Sequence, residues 1–469
     1  MKRIFIFTFF VGLLSASLLH ATPPSGTQAD NNWISDGNYY DISWYDASNI
    51  QPEYTFTTAA ELAGLAYLIS GQPNPAYWPL GSNSETPLRD KVFKLGADID
   101  LSAHYWVPIG QGQNSFGGWF DGQGHTITGL YIDYSDDSYA YASTAANIYA
   151  GGYNASSGNM AGLFGRLNNQ SAGAYIKNIV FGEGLIKTHP SCFAAGALVG
   201  YNNRNANLTI SNIINMGVEI IGGAQAAGIV GYTQNGGSIY RNIANWAPVT
   251  MAYSDVIPNI MVYGGGLIGG AGDQVSLYNS YNAGTVTVTS SAARIFVGGL
   301  VGAIGLSVAN LSNNPAGSLT ATSGANYYLN NDNKYFDVGS QSTSDYYSSS
   351  DLFPDSRIST IEDMKTTGFI AKLNDGIVGE TWISKGGLPV FEFVDMPTAM
   401  PEVKSNLFTC SENGVIVISG LQTGSPVKVY NLTGQVVWNG QAQQNLRIAL
   451  SKGVYIVKSM VGQAKVINY

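Results

Sequence analysis

Acids, histidines, cysteines and tyrosines are the side chains through which this chain can do chemistry, and their spacing sorts them. Glycoside hydrolysis needs two carboxylates about 5 to 10 Å apart, yet Glu183, Glu219, Asp255 and Asp273 stand isolated and none recurs in register. A lyase needs a base beside grouped calcium-binding acids, whereas Lys177, Lys187, Arg204, Arg241 and Arg294 accompany no acid cluster. Asp98 and Asp100 flank Ile99, a spacing open to calcium but more simply read as a solvated strand face or turn ligands. Asp121 stands before Gly122, as in a tight turn. His20, His104, His125 and His189 have no metal-ligand spacing. Cys192 and Cys410 are too few for a disulfide framework, and Cys192 reads as a small core residue. The glycine run GGGLIGGAG lacks the lysine and serine of a phosphate cradle. The expectation is therefore no catalytic residue, no metal and no cofactor.

Tyrosines are the remaining candidates. In the segment 131–153, Tyr134, Tyr139, Tyr141, Tyr149 and Tyr153 can offer flat amphipathic rings to a sugar or a protein partner, with Asp133, Asp136 and Asp137 as polar contacts. These five form the expected ligand-binding set, against the alternative of a decorative surface hairpin. A second tyrosine-rich stretch, NYYLNNDNKYFDVGS followed by Asp345, Tyr346 and Tyr347, raises the same choice.

What positions such residues is a repeat. The segments AGLFG, GALVG, AGIVG, GGLIG and GGLVG end at Gly165, Gly200, Gly231, Gly269 and Gly302. After each comes an asparagine in a strand-like context: Asn178, Asn212, Asn242, Asn279 and Asn310. A second asparagine stands three positions on at Asn215, Asn245, Asn282 and Asn313, while the first unit has Phe181 there. Units of this length imply stacked elements that bury one another's apolar strands. Three strand-like pieces per unit, GLFG, YIKNIV and GLIKT in the first, predict a roughly triangular coil. The fold class is thus all-β, a right-handed parallel β-helix. Glycines are expected at corners needing positive φ or close approach, and asparagines in an axial amide ladder. Thr58 with Glu61, ahead of Leu62, Leu65, Ala66 and Ile69, predicts a short capping helix, and Thr360 with Asp363 a second.

Upstream, Asp98 through Ser102, Trp106 through Gly110 and Phe120 through His125 precede Gly162 through Gly165 in that order. With ISTIEDMKTTGFIAKLN, Trp382 and GGLPVFEF, this arrangement resembles the GLUG-motif repeat proteins over roughly residues 54–394. The resemblance implies a bacterial surface or secreted protein, often adhesin-like, and names no ligand.

The ends differ in kind. Lys2 and Arg3, the apolar run IFIFTFFVGLL and small residues up to Ala21 predict a signal peptide at 1–21 and export. Residues 22–53 read as an N-terminal linker, 54–395 as the repeat domain and 396–404, with Pro397 and Pro401, as a second linker. Short alternating runs across 405–469 predict a small C-terminal β-sandwich. The runs VKVYNL with Gly434, LSKGVYIV and KVI resemble the type IX secretion C-terminal sorting domain, which implies recognition by outer-membrane secretion machinery.

Composition agrees. Only 11% of residues are charged, 57 of 469 are glycine, and the net charge of -9 comes without a basic cluster, which argues against nucleic acid. No span long and apolar enough for a bilayer follows residue 21. The expected function is binding at the cell surface or after secretion, to a glycan or a surface-protein ligand. The alternatives are a polysaccharide lyase or hydrolase on the same scaffold and a passive structural protein.

Overall fold

Short apolar runs with a glycine or an asparagine between them build coils rather than long strands, and the computed structural model has that form. The chain divides into a long unit, Met1–Val394, and a short one, Asp395–Tyr469. The structure describes residues 23–70, 88–111, 115–136, 160–168, 173–190, 194–203, 208–234, 237–252, 261–272, 275–289, 294–304, 327–329, 336–342, 347–350 and 357–394 of the first. In the second it describes 408–412, 415–419, 426–431, 436–441, 445–459 and 462–468. The predicted signal peptide, the linker 396–404 and Asn310 lie outside the described residues.

The long unit is a parallel β-solenoid. One sheet stacks Glu53–Phe56, Val92–Leu95, Trp119–Asp121, Tyr175–Thr188, Thr209–Gly222 and Ser238–Asn245 in order, and continues to Arg357–Ile358. A second sheet holds the repeat motifs. Inward residues stack rung on rung: Phe120, Ile176, Ile210 and Tyr240 are in register and fully buried. The turn Trp106–Gly110 supplies one more rung, since Ile109 bridges Phe164 in parallel and Arg166 N donates to Gly110 O at 2.7 Å.

The three expected pieces per unit bend further. Within each of the first four motifs the chain breaks between two short strands, as in Ala194–Gly196 and Val199–Asn202, and folds back on itself. None of Gly165, Gly200, Gly231, Gly269 and Gly302 has a positive φ, which corrects that part of the expectation. Their role is close approach: a Cβ on Gly231 would lie 2.6 Å from Ala195 N and 2.7 Å from Gly200 O. The left-handed corner belongs instead to Asn178, Asn212, Asn242 and Asn279, with φ of 59, 57, 55 and 49°. Asparagine tolerates that region better than most residues.

The helix Ala59–Ser70 closes the first coil, with Thr58 Oγ1 accepting from Glu61 N and Thr58 N donating to Glu61 Oε2. Leu62, Leu65, Ala66 and Ile69 are buried as expected, but so are Ala63, Gly64 and Leu68. The other side is covered by residues 23–50, so the predicted N-terminal linker is corrected to part of the cap. Gly64 packs on Asp41 O, Tyr40 stacks on Tyr67 at 4.1 Å, and Gln28 Nε2 donates to Trp106 O at 3.0 Å.

Near the other end, the predicted helix is two: Ile361–Met364, capped by Thr360 and Asp363, and Thr367–Leu373, capped by Thr366. The chain then returns along the asparagine corner. Asn279 Nδ2 donates to Leu373 O and Asp375 O, Asn242 Nδ2 to Val378 O, and Phe393 packs on Gly124.

The short unit is a β-sandwich. A three-stranded and a four-stranded antiparallel sheet enclose Ile416, Ile418, Val427, Val429, Leu446, Ile448, Tyr455 and Val457.

Candidate functional site

Of the five expected ligand-binding tyrosines, Tyr139, Tyr141, Tyr149 and Tyr153 lie outside the described residues. Tyr134 is 2% exposed and its hydroxyl accepts from Gln111 Nε2 at 2.8 Å. Its place as a ring offered to a ligand is therefore corrected. It ends the strand Leu130–Tyr134, where Leu130, Ile132 and Tyr134 alternate into the core.

The repeat asparagines form two separate columns. At the corner, Asn242 Nδ2 donates to Asn212 Oδ1 at 3.1 Å, Asn212 Nδ2 to Asn178 Oδ1 at 2.8 Å, and Asn178 Nδ2 to Asp121 Oδ1 at 2.8 Å. Three residues on, Asn215 Nδ2 donates to Asn245 Oδ1 and Asn245 Nδ2 to Asn282 Oδ1, each at 2.9 Å. Phe181 and Tyr328 occupy the register positions at the two ends of this inner column.

Asp98, Asp100 and Asp121 are held by turns and ion pairs, while Asp255 and Asp273 lie outside the described residues. Asp98 Oδ1 accepts from Thr126 N at 2.9 Å and faces His125 Nδ1 at 3.2 Å, while Asp100 Oδ1 accepts from Ser102 N. Asp121 Oδ1 accepts from Gln123 N at 2.9 Å, as a turn aspartate does, and its Oδ2 lies 3.3 Å from Lys177 Nζ. Among the described residues no three His, Cys, Asp or Glu side chains gather as a metal site. His104 stacks on Tyr39 at 3.8 Å, its Nδ1 bonds Asn31 Oδ1, and burial lowers its pKa.

One outward face combines aromatic surface with charge. Because Phe93, Phe120, Ile176, Ile210 and Tyr240 point inward, the residues beside them point out and align across the rungs. One row runs Lys94, Asp121, Lys177, Ser211, Arg241 and Tyr278. The row two residues earlier holds Glu53, Val92, Trp119, then Tyr175, Thr209 and Ile239. Trp119 and Tyr175 have ring centroids 5.3 Å apart, and Lys177 Nζ lies 4.6 Å from the Tyr175 centroid. Lys94 Nζ pairs with Glu53 Oε2 at 2.6 Å, and that hydrogen bond raises its pKa against the opposing effect of desolvation. Trp119 Nε1 is shielded from solvent and has no hydrogen-bond partner.

Sequence reasoning set Lys177 apart from any acid, because Asp121 stands 57 residues from Asn178 along the chain yet one rung away in space. The signal was available: Lys177, Ser211, Arg241 and Tyr278 each directly precede a corner asparagine, so aligning the repeats aligns the row.

No protein-family model matches the chain, and no curated protein matches it. Among solved structures, it is similar to a Bacteroides ovatus protein described as a "putative immunoglobulin A1 protease", at 17% identity and a TM-score of 0.41. That alignment covers 73% of this chain and 93% of the other.

Proposed function

We propose that this chain is an exported cell-surface or secreted GLUG-like solenoid that works by binding, adhesin-like and in contact with glycans, with residues 405–469 serving secretion or anchoring. The observation that carries this reading is the Trp119–Tyr175 pair on the outward sheet face, beside the ion pairs Lys94–Glu53 and Lys177–Asp121. Half-buried aromatic rings held by a rigid sheet, here tilted 54° to each other, give a sugar an angled apolar surface at small entropic cost, and fixed charges beside them orient its hydroxyls. Asp98 and Asp100, open to calcium by their spacing, and Asp121 are engaged in local turns or pairs, which supports a binding reading without catalysis.

The test applies purified residues 22–469 to a panel of host and bacterial glycans, recording retained protein and newly released sugar ends in the same wells. Retention without release is the expected result. Release of sugar ends would replace binding with catalysis, and silence in both channels would remove the glycan.

A further inference from the structure

We infer that the ligand of this outward face carries a carboxylate and that Arg241 receives it; the inference rests on the glycan-binding reading above. Three cations stand in the outward row, and two are matched: Lys94 by Glu53 and Lys177 by Asp121. The third is not. Among the described residues no ion pair or hydrogen bond reaches the Arg241 side chain, and its Nε is shielded from solvent without a partner. Its neighbours in the row, Ser211 and Tyr278, are uncharged. Leaving a partly desolvated guanidinium unmatched is costly, and the cost is recovered when an anion arrives. In a chain with a net charge of -9, such a group on a sheet face selects for negative charge locally.

The guanidinium fork matches a carboxylate with two parallel hydrogen bonds, and shielding from water strengthens the attraction. Arg241 lies two rungs from Lys177 in the same row, roughly 10 Å at the usual strand spacing. A polysaccharide laid across the rungs can therefore cover Trp119 and Tyr175 with its sugar rings and bring a uronate carboxylate to Arg241. Ser211, in register between the two cations, is buried and brings no charge to the surface between them. The occupant is accordingly an acidic glycan, since the tilted aromatic pair offers apolar ring surface to a sugar and the lone cation receives its acid group.

The experiment compares retention of the purified protein on polygalacturonate and on the same polymer after carboxyl reduction, at low and high sodium chloride. It is run for wild type, Arg241→Gln and Arg241→Lys, with thermal melts to verify folding. Wild type is expected to prefer the uronate at least about tenfold, and added salt to erode the preference. Arg241→Gln should remove it while leaving retention on the reduced polymer unchanged, and Arg241→Lys should keep part of it. Equal retention on both polymers overturns the carboxylate inference and leaves glycan binding standing. A uronate preference that survives Arg241→Gln overturns the assignment to Arg241. Retention on polyglutamate in place of polygalacturonate overturns the glycan as partner, and failure on both polymers and on a neutral glycan panel overturns both readings.

Discussion

The two asparagine columns lie three residues apart in every unit that has both, yet they do different work. Corner residues Asn178, Asn212 and Asn242 sit at positive φ, and their amides link rung to rung at the bend. Inner residues Asn215, Asn245 and Asn282 are at most 1% exposed, have no positive φ, and tie the coil to its own backbone. Asn245 Nδ2 also reaches Ala247 O at 2.8 Å, and Gly228 leaves the space that the Asn245 side chain occupies. The corner therefore selects asparagine chiefly for backbone shape, and the inner column for hydrogen bonds no other side chain of that size supplies. Their ends differ too: the corner column runs from Asp121 to carbonyls of the returning segment, the inner one between Phe181 and Tyr328.

The comparison breaks most visibly at Asn245. Asn245→Leu keeps the volume but strips partners from Asn215, Asn282 and Ala247 O, and should cost about 4 kcal/mol in chemical denaturation. A loss under about 1 kcal/mol would make the inner column ornamental. Asn242 sharpens the contrast. Asn242→Ala loses both the left-handed preference and the bonds to Asn212 and Val378, about 2 to 3 kcal/mol, whereas Asn242→Gly should recover about 1 kcal/mol of that. Equal costs for the two would show that φ is not what the corner selects.

The smallest effect concerns the cap. Desolvation lowers the His104 pKa from 6.5, so the folded state prefers the neutral ring. Stability from this preference is fully present above the unfolded pKa and is lost as pH falls through the unfolded value toward the folded one. Melting of wild type should drop more than that of His104→Gln between pH 7.5 and 5; parallel curves would contradict the assignment.

These contrasts explain what the sequence made legible. Both columns and the close-packed glycines were visible because stacking forces the same residue into each rung, and repetition is readable in one dimension. The sandwich strands from Val415 onward were readable by alternation, whereas Phe408–Glu412, FTCSE, carries none. Tyr134 belongs to a tyrosine-rich stretch by composition, yet the Leu130, Ile132, Tyr134 alternation places it inside. Residues 23–50 pack by isolated turns and aromatic stacking, which leave no period. The aromatic pair was hidden for a different reason: Trp119 and Tyr175 stand far apart along the chain, so their proximity is a property of stacking and not of spacing.

The central claim is that the outward face contacts the ligand while the asparagine columns hold its shape. It is tested most directly by glycan retention of a Trp119→Ala/Tyr175→Ala double variant whose melting temperature is measured alongside. The account predicts at least about a tenfold loss of retention with melting close to wild type. Full retention by the double variant would contradict it.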